Sequence, residues 1–258
     1  MGAGRVLIIS ENAPVPADRR VWNISRSLVG AGWEVVIVCA KGPGRDSASY
    51  EVLEGIEIHR YPLRPAESSL GYAREYLQAL WRIRRLVHRL SRTRRFDIVH
   101  ACNPPDVLLL AARSLQRQGT RFVFDHHDLV PELYRSRFGR GEDLGYRATF
   151  AAERLAFRLA DVSLATNGSY ARVATERGRM DPERVFIVRN GPDLYVYVSP
   201  DANGYADGVV ELGKLKADKG NQNYDMPAGF DPVVAASVVI WCKQFSVQFA
   251  VAPLAPDF

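Results

Sequence analysis

From residue 6 to residue 189 the chain keeps returning to short runs of apolar residues, at 6–10, 33–39, 56–61, 96–100, 122–125, 162–166 and 185–189. The runs at 6–9 and 35–39 are apolar throughout and do not alternate with polar residues. A strand with one wet face would alternate, so these strands are expected to be covered on both faces, as in a parallel sheet. Longer stretches of helical period lie between several of them. Asp18 is placed to cap a helix running to about residue 29, which Gly30 and Gly32 end. A second helix is expected over 70–92, with Tyr76, Leu80, Ile83, Val87 and Leu90 at spacings of four and three on one face. The segment 41–54 is rich in Gly and Ser and reads as a loop.

The rhythm changes after Pro192. The runs 194–199, 209–212, 237–242 and 245–251 are short and β-type, with Asn, Gly, Asp and Pro between them, as in all-β structure. Composition changes at the same place. Residues 1–192 hold 29 Arg and one Lys against 21 acids, a net +9, whereas residues 193–258 hold no Arg, 4 Lys and 8 acids, a net −4. The overall +5 is an average of two unlike segments. The expectation is therefore a doubly wound, Rossmann-like α/β domain over 1–192, followed by a small β module over 193–258.

Several classes of protein are excluded. The only early apolar run, 6–9, is too short for the core of a secretory signal, and no stretch approaches the length of a spanning helix. The three cysteines, Cys39, Cys102 and Cys242, have no zinc-type spacing and form no even disulfide framework, which suits a reducing, cytoplasmic compartment. A dinucleotide fingerprint would need glycines just after the first strand, but residues 10–16 contain none. There is no phosphate-binding loop of the G-x-x-x-x-G-K type, no nucleophile elbow and no Asp-x-Asp for a donor-bound metal. No metal or other cofactor is expected.

Eight segments occur in a recognisable order. They begin with Val6-Leu-Ile-Ile-Ser, then Asp18-Arg-Arg-Val-Trp-Asn and Gly32-x-Glu34-Val-Val-Ile-Val, and continue through Glu54-Gly-Ile-Glu-Ile-His-Arg and Phe96-Asp-Ile-Val-His-Ala. Phe124-Asp-His-His-Asp-Leu-Val-Pro-Glu, Ala160-Asp-Val-Ser-Leu-Ala-Thr and Val185-Phe-Ile-Val-Arg-Asn-Gly-Pro-Asp complete the series. Together they resemble the N-terminal half of a family 4 glycosyltransferase of the GT-B architecture, over about residues 5–193. The resemblance implies retaining transfer of a sugar from a nucleotide-sugar to an acceptor, often lipid-linked, as in polysaccharide biosynthesis.

It also implies site residues. His127 holds the family's His-Asp position, beside the reacting sugar, where neutral imidazole can both donate and accept. Its neighbour His126 is expected to satisfy backbone groups at the strand end. Asp128 and Glu132 are candidates to hold the acceptor or orient the histidine, and Glu132 alternatively caps the following turn. His100, expected at the end of its strand, is a further binding candidate. Arg19 and Arg20 stand at a helix start, where guanidinium groups and the helix terminus both favour phosphate. The alternative is that one is solvated and the other pairs with Asp18 or Glu11. Relatives carry paired glycines in the loop 10–17, and this chain carries prolines. The basic face of the long helix, Arg74, Arg82, Arg85, Arg89 and Arg92, is either solvated or meets an anionic membrane surface, each group then contributing about 1 kcal/mol. That surface would be the inner face of the plasma membrane. No nucleic-acid reading motif is present.

The resemblance further implies a second half that binds most of the donor through paired glutamates. Residues 193–258 contain one glutamate, Glu211, which leaves independent activity in doubt. The tail, from Asn190-Gly-Pro-Asp to Ser237-Val-Val-Ile-Trp-Cys-Lys-Gln-Phe, instead resembles the later part of the DM-thirteen domain, a β module linked to electron transfer. That likeness makes Cys242 a possible redox residue, against the simpler reading of a buried strand cysteine. A non-enzymatic binding or redox module is thus the alternative to glycosyl transfer.

Overall fold

The computed structural model describes residues 4–63, 69–138, 143–189, 194–216, 221–243 and 247–254. It divides into two compact units, Met1–Arg189 and Asn190–Phe258. The expected boundary after Pro192 falls outside the described residues, as do the Asn190-Gly-Pro-Asp junction and Phe245.

The first unit is built on eight strands: β1 Gly4–Ser10, β2 Trp33–Ala40, β3 Tyr50–Leu53, β4 Ile56–Tyr61, β5 Ile98–Cys102, β6 Arg121–His126, β7 Val162–Ala165 and β8 Val185–Ile187. Its helices are α1 Arg19–Gly30, α2 Ser69–Ser91, α3 Arg113–Gln116, α4 Val130–Phe138, α5 Leu144–Leu159 and α6 Gly168–Arg172. The strand order is β3-β4-β2-β1-β5-β6-β7-β8. All neighbouring pairs are parallel except β3 with β4. The chain winds outward from β1 in one direction and from β5 in the other. The crevice at the carboxyl ends of β1 and β5 is therefore the topological switch point, where open sheets of this type bind ligands.

Successive side chains of a strand point to opposite faces, and both faces are dry here. Leu7, Ile9, Val36 and Val38 pack in the core that includes Ala79, Ile83, Val87 and Leu90 of α2 and Phe157 of α5. Val6, Ile8, Val35 and Ile37 face Val21 and partly buried Trp22 and Ile24 of α1. This is why the sequence shows apolar runs without alternation. Each such side chain contributes about 1.5–3 kcal/mol on burial. Asp18 caps α1 through a 3.1 Å bond from the amide of Val21 to its carboxylate.

The segment 41–54 is more than a loop. It contains a single-turn 3-10 helix, Gly44–Ser47, and strand β3, paired antiparallel to β4 across a two-residue turn at Glu54-Gly55. Both turn residues have positive φ, 50° and 79°, the hairpin geometry that matches strand twist. Buried Arg60 ties the hairpin down, its Nη2 donating to Val15 O at 2.7 Å and Glu51 Oε2 at 2.8 Å.

The second unit is one antiparallel sheet of β9 Leu194–Ser199, β10 Val210–Lys214, β11 Ser237–Cys242 and β12 Val247–Pro253, in the order β10-β9-β11-β12. Val196, Val198, Val239 and Cys242 are buried, whereas every residue of the edge strand β12 is exposed. Among the described residues, no helix is long and apolar enough to cross a membrane.

Candidate functional site

Asp125, fully buried near the end of β6, organises the switch-point edge of the sheet. Arg20, in the first turn of α1, reaches it with Nε at 2.8 Å from Oδ2 and Nη2 at 2.6 Å from Oδ1. The remaining Nη1 donates to Val188 O beyond β8 at 2.9 Å. From β5, His100 Nε2 stands 3.0 Å from Oδ2 of the same carboxylate. Burial on its own would raise the Asp125 pKa, but the facing imidazoles of His100 and His127 and the Arg20 guanidinium hold it well below the usual range. Asp125 is thus a buried anion with its charge matched, linking α1, β5, β6 and the end of β8.

Beside it, Asn103 shapes the turn that carries His127. Its Oδ1 accepts from the amides of His127 at 2.9 Å and Asp128 at 3.1 Å, and its Nδ2 donates to Asp128 O at 2.6 Å and Asp106 Oδ1 at 2.8 Å. Burial pushes Asp106 up to about 8, against the Asn103 hydrogen bond and with Glu153 adding to the rise, so it carries a proton at neutral pH. His127 Nδ1 lies 3.7 Å from Asp125 Oδ1, beyond hydrogen-bond length. Its side chain keeps 13% exposure, against 6% for His100 and 0% for His126, so of these three imidazoles His127 is the one open to a ligand.

A second network lies behind this turn. His126 Nε2 is 3.2 Å from buried Glu153 Oε1, and the ring sits among Phe124, Phe157 and Tyr170. Arg177 bridges Glu153 at 2.6 Å and Glu132 at 2.5 Å.

These positions revise several expectations. Arg20 pairs with neither Asp18 nor Glu11: Asp125 and Val188 O engage all three of its nitrogens, because a charge this deep must be matched. Arg19 is exposed. His100 stands in the middle of β5, buried against Asp125, and does not end the strand or open to the crevice. Glu132 neither caps the turn nor stands free for an acceptor, since Arg177 holds its carboxylate. His126 bonds the Glu153 side chain in place of backbone. The Asp128 side chain is half-buried, its backbone fixed by Asn103. Cys242 is fully buried in β11.

Asp125, Asn103, Asp106, Glu153 and Arg177 were not among the sequence candidates. The run Cys102-Asn-Pro-Pro-Asp after a strand was the available signal for two of them. His100, Cys102 and Asp125 offer ligand atoms within 4.8 Å of one another, but the Arg20 cation already occupies the Asp125 carboxylate and opposes a metal there. Glu11, just past β1, is also buried. Desolvation and the charge of Glu75 raise its pKa to about 7.

A family model described as a glycosyl transferase 4-like domain matches residues 17–191. A second, described as "Electron transfer DM13", matches residues 170–254, so the two overlap before the tail begins. Among solved structures, sucrose-phosphate synthase from Thermosynechococcus elongatus is similar at TM-score 0.56 and 14% identity, covering 73% of this chain and 48% of its own. The catalytic domain of starch synthase IV from Arabidopsis thaliana, solved with ADP and acarbose, is similar at TM-score 0.50 and 15% identity, covering 73% of this chain and 52% of its own. The chain therefore spans about half the length of these structures. No curated protein matches it.

Proposed function

Because the chain belongs to the glycosyl transferase 4-like family, matched over residues 17–191, we propose that it serves retaining transfer of a sugar from a nucleotide-sugar to an acceptor. The observation that carries this reading is the presentation of His127. Its turn is pinned by Asn103 at the switch point, and its imidazole is open while the two neighbouring imidazoles are buried and bonded. A partly exposed imidazole beside a charge-matched carboxylate suits hydrogen bonding to sugar hydroxyls or to a departing phosphate oxygen. Asp125 and Arg20 act as the scaffold of that turn. Asp128 is the remaining candidate for the acceptor. The starch synthase with ADP and acarbose supports a nucleotide-linked donor and a glycan-type acceptor as the ligand classes to test.

The test is release of nucleoside diphosphate and transfer to acceptor by the purified full chain, with His127→Ala expected to abolish both. Turnover that survives His127→Ala overturns the reading. The match to the electron-transfer domain favours one second reading, a redox or binding role for the tail. A reducible adduct at Cys242 without donor turnover would support it, although the thiol is buried and must first be uncovered.

The partner surface proposed for α2 is an anionic membrane, at the cytoplasmic face. Leu77 and Trp81 are 69% and 59% exposed one turn apart on this helix, exposed Arg74, Arg85 and Arg89 lie along it, and exposed Arg92 follows its end. Apolar side chains among arginines suit the headgroup boundary. Failure to sediment with anionic liposomes at moderate salt would refute this.

A further inference from the structure

Away from the His127 turn, the C-terminal half of α5 and the segment 177–184 line an open surface pocket of about 390 Å³. The parallel strands fix where it lies. α5 leads into the start of β7, and Arg184 leads into the start of β8, so the pocket sits at the amino end of the sheet. His127 follows the carboxyl end of β6.

Five arginines line this pocket: Arg154, Arg158, Arg177, Arg179 and Arg184. Arg177 is committed to Glu132 and Glu153. Among the described residues, the other four have no acidic partner. Arg154 lies over the Phe150 ring at 5.7 Å, and no ion pair involves Arg158, Arg179 or Arg184. The single acid in the lining, Asp181, accepts from the amide of Glu183 at 3.0 Å as the cap of the short helix Pro182–Arg184. Arg154, Arg158, Arg179 and Arg184 are exposed and share one counter-charge, Asp181, so their mutual repulsion, about 1 kcal/mol per close pair in water, is relieved by a bound anion.

The backbone is fixed to present them. Gly178 packs so tightly that a Cβ would come within 2.5 Å of the Phe157 ring. The amides of Gly178 and Met180 bond back to Val173 O at 2.9 Å and Ala174 O at 3.0 Å, and Met180 is buried. Between these anchors Arg179 is held at φ +57°, in the left-handed region that disfavours any residue with a Cβ. Two anchored neighbours and a strained residue between them describe a preformed wall, and such strain gathers at ligand-binding positions.

The geometry points to a binding site for a small, multiply charged phosphate anion of the diphosphate class, separate from the His127 site. Guanidinium forks pair with phosphate oxygens in bidentate fashion, and a volume of this size is at the small end for ligand pockets. The anion's source is either a soluble diphosphate or a phospholipid headgroup. The chemistry recognised is the same.

Calorimetric titration of the full chain with inorganic pyrophosphate tests the site. Saturable binding is expected, weakened about tenfold or more in Arg158→Gln and in Arg179→Gly. The second substitution removes a guanidinium and relieves the left-handed strain, so loss of binding with an unchanged or higher Tm cannot be blamed on unfolding. Arg95→Gln, an exposed arginine elsewhere, should bind like the native chain. No saturable binding, or an equal loss in Arg95→Gln, overturns the site. Phosphatidylcholine vesicles with and without phosphatidic acid separate the sources. Retention on the acidic vesicles that Arg158→Gln weakens identifies a headgroup. Retention, or its absence, that is the same in the native chain and Arg158→Gln beside pyrophosphate binding identifies a soluble ligand, any remaining vesicle contact then belonging to α2.

Discussion

Replacing Glu11 by Gln should change how the stability of this protein depends on pH, and the size of the change can be worked from its surroundings. Glu11 is 6% exposed, and burial followed by the nearby charge of Glu75 lifts its pKa from 4.5 to about 7. Tyr61, whose hydroxyl has no partner among the described residues, lies in the same field and offers no compensating charge. Below the unfolded-chain value the carboxyl is protonated in both states and costs nothing. As pH rises through the interval up to about 7, the unfolded chain releases its proton and the folded chain keeps it. Stability then falls by about 1.4 kcal/mol per pH unit. Above that interval the folded carboxyl ionises as well, and the loss levels at about 3 kcal/mol. Glutamine imitates the protonated acid without titrating. The variant should therefore gain little at about pH 5 and about 3 kcal/mol at about pH 8, relative to the native chain. Urea unfolding of both proteins across that range measures the difference directly. The contributions of Asp106 and Asp125 cancel in the subtraction because both proteins contain them. A difference that stays flat with pH would refute the assignment of a raised, buried carboxyl to Glu11.

Removing the Arg20 charge should be far costlier than a surface change: Arg20→Met leaves Asp125 buried without its cation and should lose about 3–5 kcal/mol in denaturant unfolding. Arg60→Leu, which removes the buried guanidinium joining β4 to Val15 and to Glu51 of β3, should lose a comparable amount, and proteolysis should then begin within residues 41–55. Asn103→Ala frees the amides of His127 and Asp128, and should lower donor turnover while the fold persists by circular dichroism. β12 is an uncharged, wholly exposed edge, so Phe249→Lys should reduce self-association in sedimentation velocity without lowering Tm.

Much of the fold was written in the hydrophobic rhythm. Runs such as Val6-Leu-Ile-Ile and Val35-Val-Ile-Val can be stable only as strands covered on both sides, and the cap at Asp18 and the apolar face of α2 follow from local chemistry. β3 was hidden because its stabilisation is not local. A short run, Tyr-Glu-Val-Leu, becomes a strand through the Glu54-Gly55 turn and the buried Arg60 beneath it. For the site, the sequence singled out His127, His100, Arg20 and Glu132 as residue types, but it could not assign their partners. Asp125 directly precedes the two adjacent histidines that drew attention, and nothing in its neighbours shows that an arginine 105 residues earlier closes on it. The amino-acid sequence by itself determined the layered parallel sheet, the change of character near residue 192 and a histidine at a strand end, because periodicity and composition act over a few residues. Only the tertiary structure decided which charges are matched and buried, which imidazole stays open, and which arginines are left facing one another around a pocket. Those outcomes depend on distances between residues far apart in the chain, and electrostatic energy is set by distance and burial.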